Sequence, residues 1–263
     1  MSIITLITDF GLKDGNVGVM KGVIWGIAPD AQIVDLSHLI SPQNVREAAL
    51  ILQRSAPYFP DSTIHMVIVD PGVGTARRPL AARMGNQYFV GPDNGIITLW
   101  LEQLEAHDRS CIFIHLNNSK YWLPDISHVF HGRDIFAPVA GYLASGVPLE
   151  EFGALIHNPI RLDFPKPRRI KGGWVCEVIH LDHFGNIATN LFINQLGGQR
   201  VATLRLKGVI IEGMAHTFGE RSPGELIALF GSTGNLIVCE VNGNAAQRLK
   251  VKIGDLVEVE TEG

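Results

Sequence analysis

Apolar and polar positions follow two different rhythms along this chain of 263 residues, and the change from one to the other divides it. In the first part, β-prone runs each end in a carboxylate. Ile3-Ile4-Thr5-Leu6-Ile7-Thr8 runs into Asp9, Gln32-Ile33-Val34 into Asp35, and His65-Met66-Val67-Ile68-Val69 into Asp70. Between them, apolar residues fall at helical spacing, with Val19, Val23 and Ile27 on one face. Ser41 is the expected N-cap of a second helix, with Pro42 at its first position and Val45, Ala48, Ala49 and Leu52 as its apolar stripe. A later helix is expected over Ile135–Ala144, where Pro138 is tolerated in the first turn. Strands alternating with helices predict βαβ units and a largely parallel sheet, with Asp9, Asp35 and Asp70 at one edge.

Around Asp163-Phe164-Pro165-Lys166-Pro167-Arg168 the prolines suppress regular structure, and helical periodicity then almost vanishes. Trp174 to Leu181, Ala202 to Leu206, Val209 to Glu212, Leu226 to Phe230, Leu236 to Val241 and Leu256 to Val259 are short β-prone runs separated by Gly, Asn and Ser. Such runs suggest a small antiparallel barrel or sandwich. The expected architecture is α/β: an N-terminal domain, 1–163, on a mostly parallel sheet, and a C-terminal antiparallel β-barrel domain, 164–263.

Composition narrows the partners. Lys and Arg number 22 against 26 Asp and Glu, and no basic run suggests a nucleic-acid track. No apolar run approaches the ~20 residues that span a bilayer. The N-terminus enters a strand at once, without the pattern of a secretory signal. Cys111, Cys176 and Cys239 are widely spaced in apolar settings and read as reduced core residues, so a cytoplasmic enzyme is expected.

The candidate chemistry gathers in Val69-Asp70-Pro71-Gly72-Val73-Gly74-Thr75-Ala76-Arg77-Arg78, a strand that stops at a carboxylate and opens into a glycine-rich loop bearing arginines. Ligands of open α/β sheets bind beyond the carboxyl ends of the strands, where this loop is expected. An isolated Val-Asp-Pro-Gly would read as an ordinary turn. His128, His131 and Asp134 could be taken for a metal set, but Gly132 interrupts a ligand-bearing helix and no further His partner follows. The plainer alternative is a His and an Asp that satisfy a helix N-terminus, and no metal is expected. Asp182-His183-Phe184-Gly185-Asn186 reads as a strand end and turn, and Phe230-Gly231-Ser232-Thr233-Gly234-Asn235 as a hairpin loop. The latter lacks the Gly-Lys-Ser/Thr ending of a nucleoside-triphosphate loop.

Taken with Thr8-Asp9-Phe10-Gly11, Pro92-Asp93-Asn94-Gly95, Phe130-His131-Gly132-Arg133-Asp134-Ile135-Phe136 and Ala245-Ala246, these segments closely resemble, over essentially the whole chain, the S-adenosyl-L-methionine hydroxide adenosyltransferases. These adenosine-forming hydrolases are relatives of the fluorinases and chlorinases. The resemblance implies an N-terminal α/β domain, a C-terminal β-barrel, and a homotrimer whose ligand lies between the N-terminal domain of one subunit and the C-terminal domain of its neighbour. It implies that Asp70, Arg77 and His131 hold and activate water, and that Asp9 chelates the ribose hydroxyls. Asn186 would meet adenine, Phe218 would stack on it, and the strand around Glu240 would offer backbone contacts. Asp182 and Ser232 would receive the amino-acid end of methionine, and Asp14 matches a ribose-side carboxylate of the halogenases. Fluorinase-like members carry an aromatic hydroxyl in place of Asp70, a small polar residue in place of Val73, and an inserted loop that this chain lacks; these departures argue against halide as nucleophile.

The implied chemistry is self-consistent. A sulfonium leaves as a neutral thioether and needs no general acid, whereas water needs activation. Arg77 stays protonated and can stabilise a nascent hydroxide, while Asp70 or His131 accepts the proton. The expected reaction is hydrolysis of S-adenosyl-L-methionine to adenosine and L-methionine, with no cofactor. The alternatives are a halide adenosyltransferase, a nucleoside-binding protein without turnover, and a metallohydrolase.

Overall fold

The computed structural model describes residues 2–263, which separate into two compact units, the first ending at Leu162 and the second spanning Asp163–Gly263. The first unit runs β1 (Ile3–Thr8), α1 (Asn16–Ile27), β2 (Gln32–Ser37), α2 (Val45–Ser55), β3 (Ile64–Ile68), β4 (Pro79–Met84), β5 (Gln87–Pro92), α3 (Thr98–Glu105), β6 (Cys111–Leu116), α4 (Ala137–Ala144) and β7 (Gly153–Ile156). Its seven strands form one mixed sheet in the order β2-β1-β3-β5-β4-β6-β7. The pairs β2/β1, β1/β3 and β3/β5 are parallel, and the pairs from β5 to β7 are antiparallel. Successive residues of β1 and β3 face opposite sides, as the period of a strand requires. Ile4, Leu6, Met66 and Ile68 pack with Met20 and Ile24 of α1 and with α4, while Ile7, Val67 and Val69 pack with Leu52 of α2 and Trp100 of α3.

This connectivity places β1 between β2 and β3, so the chain leaves β1 to one side and returns on the other. The carboxyl ends of β1 and β3 therefore flank a topological switch point, where open sheets bind ligands. Asp9 follows one of these strands and Asp70 closely follows the other.

Three local expectations are corrected. In α1 the buried residues are Met20 and Ile24, while Val19 is 45% exposed. Val23 packs against the core and Ile27 abuts Gly141 of α4, so of the expected stripe only Val19 points away. Helix α2 begins three residues later than Ser41 suggested: Gln43 adopts φ 63°, and Asn44 is the cap, its Oδ1 accepting the Glu47 N–H at 3.1 Å. The helix expected from Ile135 instead opens as a π-helical turn, Gly132–Phe136, before α4. Pro138 cannot donate to the carbonyl of Asp134, which accepts the Leu123 N–H at 2.9 Å instead, and the Ala137 N–H reaches back to Gly132.

The second unit comprises β8 (Arg168–Ile170), β9 (Gly173–Leu181), β10 (Ile187–Phe192), β11 (Arg200–Leu206), β12 (Val209–Glu212), β13 (Leu226–Phe230), β14 (Asn235–Glu240), the short helix α5 (Ala245–Leu249) and β15 (Leu256–Glu262). The strands form an antiparallel, nearly closed barrel in the order β12-β11-β15-β9-β10-β14-β13, with β8 on β9. Strand β10 escaped the sequence pattern because Thr189 and Asn190 interrupt its apolar run. Both are buried and satisfied: Thr189 Oγ donates to the Leu236 carbonyl, and Asn190 bridges the Glu177 N–H and the Pro165 carbonyl. All three cysteines are free thiols, and burial pushes those of Cys176 and Cys239 up to about 12. Among the described residues, no helix is long and apolar enough to cross a membrane.

Candidate active site

The loop after β3 is shaped to bring Arg77 back onto Asp70. The Val73 N–H donates to the Asp70 carbonyl, the Thr75 N–H and Oγ to the Gly72 carbonyl, and the Arg77 N–H to Thr75 Oγ. Asn94 pins the strand end through its Nδ2 to the Val69 carbonyl at 2.9 Å. Gly74 has φ 75°, and a Cβ there would sit 2.2 Å from the His128 carbonyl oxygen, so only glycine lets the loop approach the 128–131 segment this closely.

Arg77 grips Asp70 bidentately, Nε to Oδ1 at 3.0 Å and one Nη to Oδ2, and both side chains are nearly buried, at 7% and 6% exposure. The same Nη lies 3.1 Å from His131 Nδ1, and the guanidinium sits over the Phe136 ring, 5.3 Å from its centroid. The remaining nitrogen, Nη1, is buried and has no hydrogen-bond partner among the described residues. An unpaired guanidinium donor costs free energy, so its retention points to a polar or anionic oxygen as the natural partner.

Electrostatics pull the two titratable members toward one another. Burial raises the Asp70 pKa above the ordinary carboxylate value, and Arg77 and His131 only partly oppose it. Burial lowers that of His131, with Arg77 adding to the effect and Asp70 opposing it. Because Arg77 can only donate, His131 Nδ1 accepts and a neutral ring carries its proton on Nε2.

The two adjacent arginines have separate tasks. Arg78 binds the buried Asp93 at 2.8 Å through Nε and holds the Asn158 carbonyl at 2.7 Å, while Asp93 also accepts the Ile160 N–H. That pair fastens loops. The 128–134 segment divides likewise. Asp134 is fully buried and taken by Arg133 and the Ser127 N–H, and His128 is exposed. Among the described residues, no three His, Cys, Asp or Glu side chains are grouped to hold a metal ion.

Asp9 accepts the Gln43 N–H at 2.8 Å, and Asp14 lies exposed ahead of α1. Asp35, expected at the same edge, lies within β2 and turns to Lys21 and His38, at 2.6 and 2.9 Å. His38 had no assigned role in the sequence; its only signal was a histidine just past a strand. In the second unit, Asp182 Oδ1 accepts the Phe184 and Asn186 N–H groups, and Oδ2 accepts Asn186 Nδ2 at 2.7 Å. Phe218 is 45% exposed in a short 3₁₀ turn, Ser232 is exposed, and Glu240 on β14 accepts from Arg248 at 3.0 Å.

Fold and centre together define an α/β protein with a nearly buried ionic cluster at its switch point, the place where open sheets bind ligands. Sequence comparison gives the family. Residues 4–153 match the SAM hydroxide adenosyltransferase N-terminal domain and residues 176–258 the corresponding C-terminal domain, and the chain belongs to that family. It is 38% identical over 261 residues to the (R)-S-adenosyl-L-methionine hydrolase of Salinispora tropica, covering 97% of each chain. It is 28% identical to the fluorinase of an Actinoplanes species, over 98% of this chain and 97% of that one. A crystal structure of a conserved Thermotoga maritima protein superposes with a TM-score of 0.88 at 37% identity, covering 97% of this chain and 99% of the other.

The histidine offers a direct check on the centre. In Arg77→Ala the imidazole of His131 loses a lowering charge and keeps the raising carboxylate, so NMR titration of its ring should show a higher pKa than in the wild type. An unchanged or lower value would contradict the arrangement.

Proposed function

We propose that the protein hydrolyses S-adenosyl-L-methionine, as the (R) sulfonium epimer named for its hydrolase relatives, to adenosine and L-methionine. The observation that carries this reading is the buried Nη1 of Arg77, a donor fixed by the Asp70 and His131 contacts of its sister atoms. A water oxygen at that donor gains stabilisation as it develops negative charge. Asp70 is the acceptor favoured by the geometry. Each of its oxygens keeps a lone pair beyond the one given to Arg77 and its pKa is raised, whereas the single acceptor of a neutral His131, Nδ1, is already taken by Arg77. His131 then orients the guanidinium and presents Nε2–H. The oxygen attacks C5′ in line with sulfur, methionine leaves as a neutral thioether, and no metal or cofactor is required.

In this reading the N-terminal domain carries Asp70, Arg77 and His131 and the C-terminal domain supplies substrate contacts. Asp9 holds the ribose hydroxyls, with Asp14 nearby. Asn186, its Nδ2 engaged by Asp182, offers Oδ1 to the adenine amino group, Phe218 stacks on the base, and backbone of β14 at Glu240 adds contacts. Asp182 and Ser232 take the methionine end. The two sets belong to neighbouring subunits of a cytoplasmic homotrimer. The exposed Val19 and Trp25 beside Gly18, Gly22 and Gly26, which have open space around them, support burial of α1 in an assembly.

Asp70 disfavours an incoming halide, since a fixed negative charge raises the energy of an anion beside it. Val73 withholds a polar contact that a dehydrated fluoride would need. In ¹⁸O-water with excess fluoride or chloride, adenosine labelled at the 5′-oxygen should be the sole nucleoside product. A 5′-halo-adenosine as main product would establish the halide reading, and binding without any product would establish the non-catalytic one.

Shared sites give a separate expectation. Asp70→Ala and Asn186→Ala subunits, each inactive alone, should regain part of the activity when mixed into trimers, because some interfaces then pair two intact halves. Verified mixed trimers that stay inactive would count against a site built from two chains.

A further inference from the structure

The cluster at the ends of β1 and β2 lies outside the Asp70, Arg77 and His131 centre, and nothing in the reaction uses it directly. His38 and Thr8 are both buried, at 6% and 0% exposure. Thr8 Oγ lies 2.9 Å from His38 Nδ1, and His38 Nε2 lies 2.9 Å from Asp35 Oδ1. Lys21 of α1 donates to the other oxygen of Asp35 at 2.6 Å. Burial raises the Asp35 pKa, but Lys21 and His38 together outweigh it and hold the group below its ordinary value. His38 Nε2 thus faces the Asp35 carboxylate, while its Nδ1 shares a hydrogen bond with the Thr8 hydroxyl.

The consequence falls on the residue in between. Thr8 Oγ accepts the Phe10 N–H at 3.2 Å, and the His38 carbonyl accepts the Gly11 N–H at 2.8 Å. His38 thus holds the chain on both sides of Asp9, by its ring through Thr8 and by its own carbonyl at Gly11. The Asp9 carboxylate is steadied separately by the Gln43 N–H. A carboxylate that chelates two adjacent hydroxyls needs its direction fixed, because a misaimed group loses both bonds at once.

We propose that His38, braced by Asp35 and Lys21, is a positioning residue that aims Asp9 at the ribose diol of the nucleoside. This rests on the proposed ribose role of Asp9. His38 touches no substrate; it acts through Thr8 and the 8–11 turn.

Calorimetric titration of the protein with adenosine and with 2′,3′-dideoxyadenosine separates the possibilities. The wild type should prefer adenosine. In His38→Ala, adenosine affinity should fall on the order of tenfold while dideoxyadenosine affinity holds, so the preference shrinks. His38→Asn, whose amide reaches the place of Nδ1, should restore most of it. Adding His38→Ala to Asp9→Ala should reduce the preference no further. A wild type that discriminates alongside a His38→Ala that discriminates equally would overturn this inference alone. So would a parallel loss for both ligands, which marks a merely structural role, in either His38 variant that folds. A wild type that binds neither nucleoside, or binds both alike, would overturn the ribose reading and this inference with it.

Discussion

The bidentate grip of Arg77 on Asp70 is the contact on which the rest of the first unit's arrangement turns. Two nearly buried charges are stable there only because each neutralises and hydrogen-bonds the other. Removing either would leave its partner charged and unpaired in a poorly solvated place. The constraint explains the loop after β3, whose Thr75 and Gly72 contacts fold it back far enough for the guanidinium to return to the strand end. It also explains why Gly74 presses against the His128 carbonyl, since that approach brings His131 to the same guanidinium.

The sheet supplies the place. Because β1 lies between β2 and β3, the ends of β1 and β3 are adjacent and the helices that follow β1 and β2 pack on opposite faces. Parallel pairing at β1/β3 holds Asp9 and Asp70 at neighbouring strand ends without a covalent link between their loops. The antiparallel half of the sheet contributes differently. Asn94, just after β5, fastens the end of β3, and Arg78 with Asp93 ties down the 158–160 segment. One arginine of the Arg77-Arg78 pair therefore closes onto Asp70 and His131, and the other fastens loops.

Much of this was legible in the sequence, for definite reasons. Strand ends marked by Asp9 and Asp70 stood out because apolar runs stopped at charges, and the loss of helical period near Pro165 marked the change to β structure. What escaped was whatever depended on partners outside the element itself. Asp35 carries the same strand-then-carboxylate signature as Asp70, yet its contacts with Lys21 and His38 direct it elsewhere. Helix α2 starts beyond Ser41 because Gln43 takes a left-handed conformation that no propensity foretells, and β10 lacks a strand pattern because Thr189 and Asn190 are buried polar residues satisfied from elsewhere in the unit. The π-helical turn at Gly132 depends on a Leu123 amide that claims the carbonyl Pro138 cannot use.

In the proposed mechanism Arg77 is the group that stabilises the attacking oxygen, and every other role depends on it. The direct measurement is steady-state hydrolysis of S-adenosyl-L-methionine by Arg77→Ala and Arg77→Lys, with circular dichroism to verify the fold. Loss of such a donor typically lowers kcat by ~10²–10³. Arg77→Lys should recover little of it, because a single ammonium cannot hold Asp70 bidentately and still point a separate donor at the oxygen. A correctly folded Arg77→Ala that turns over within a few-fold of the wild type would contradict the account.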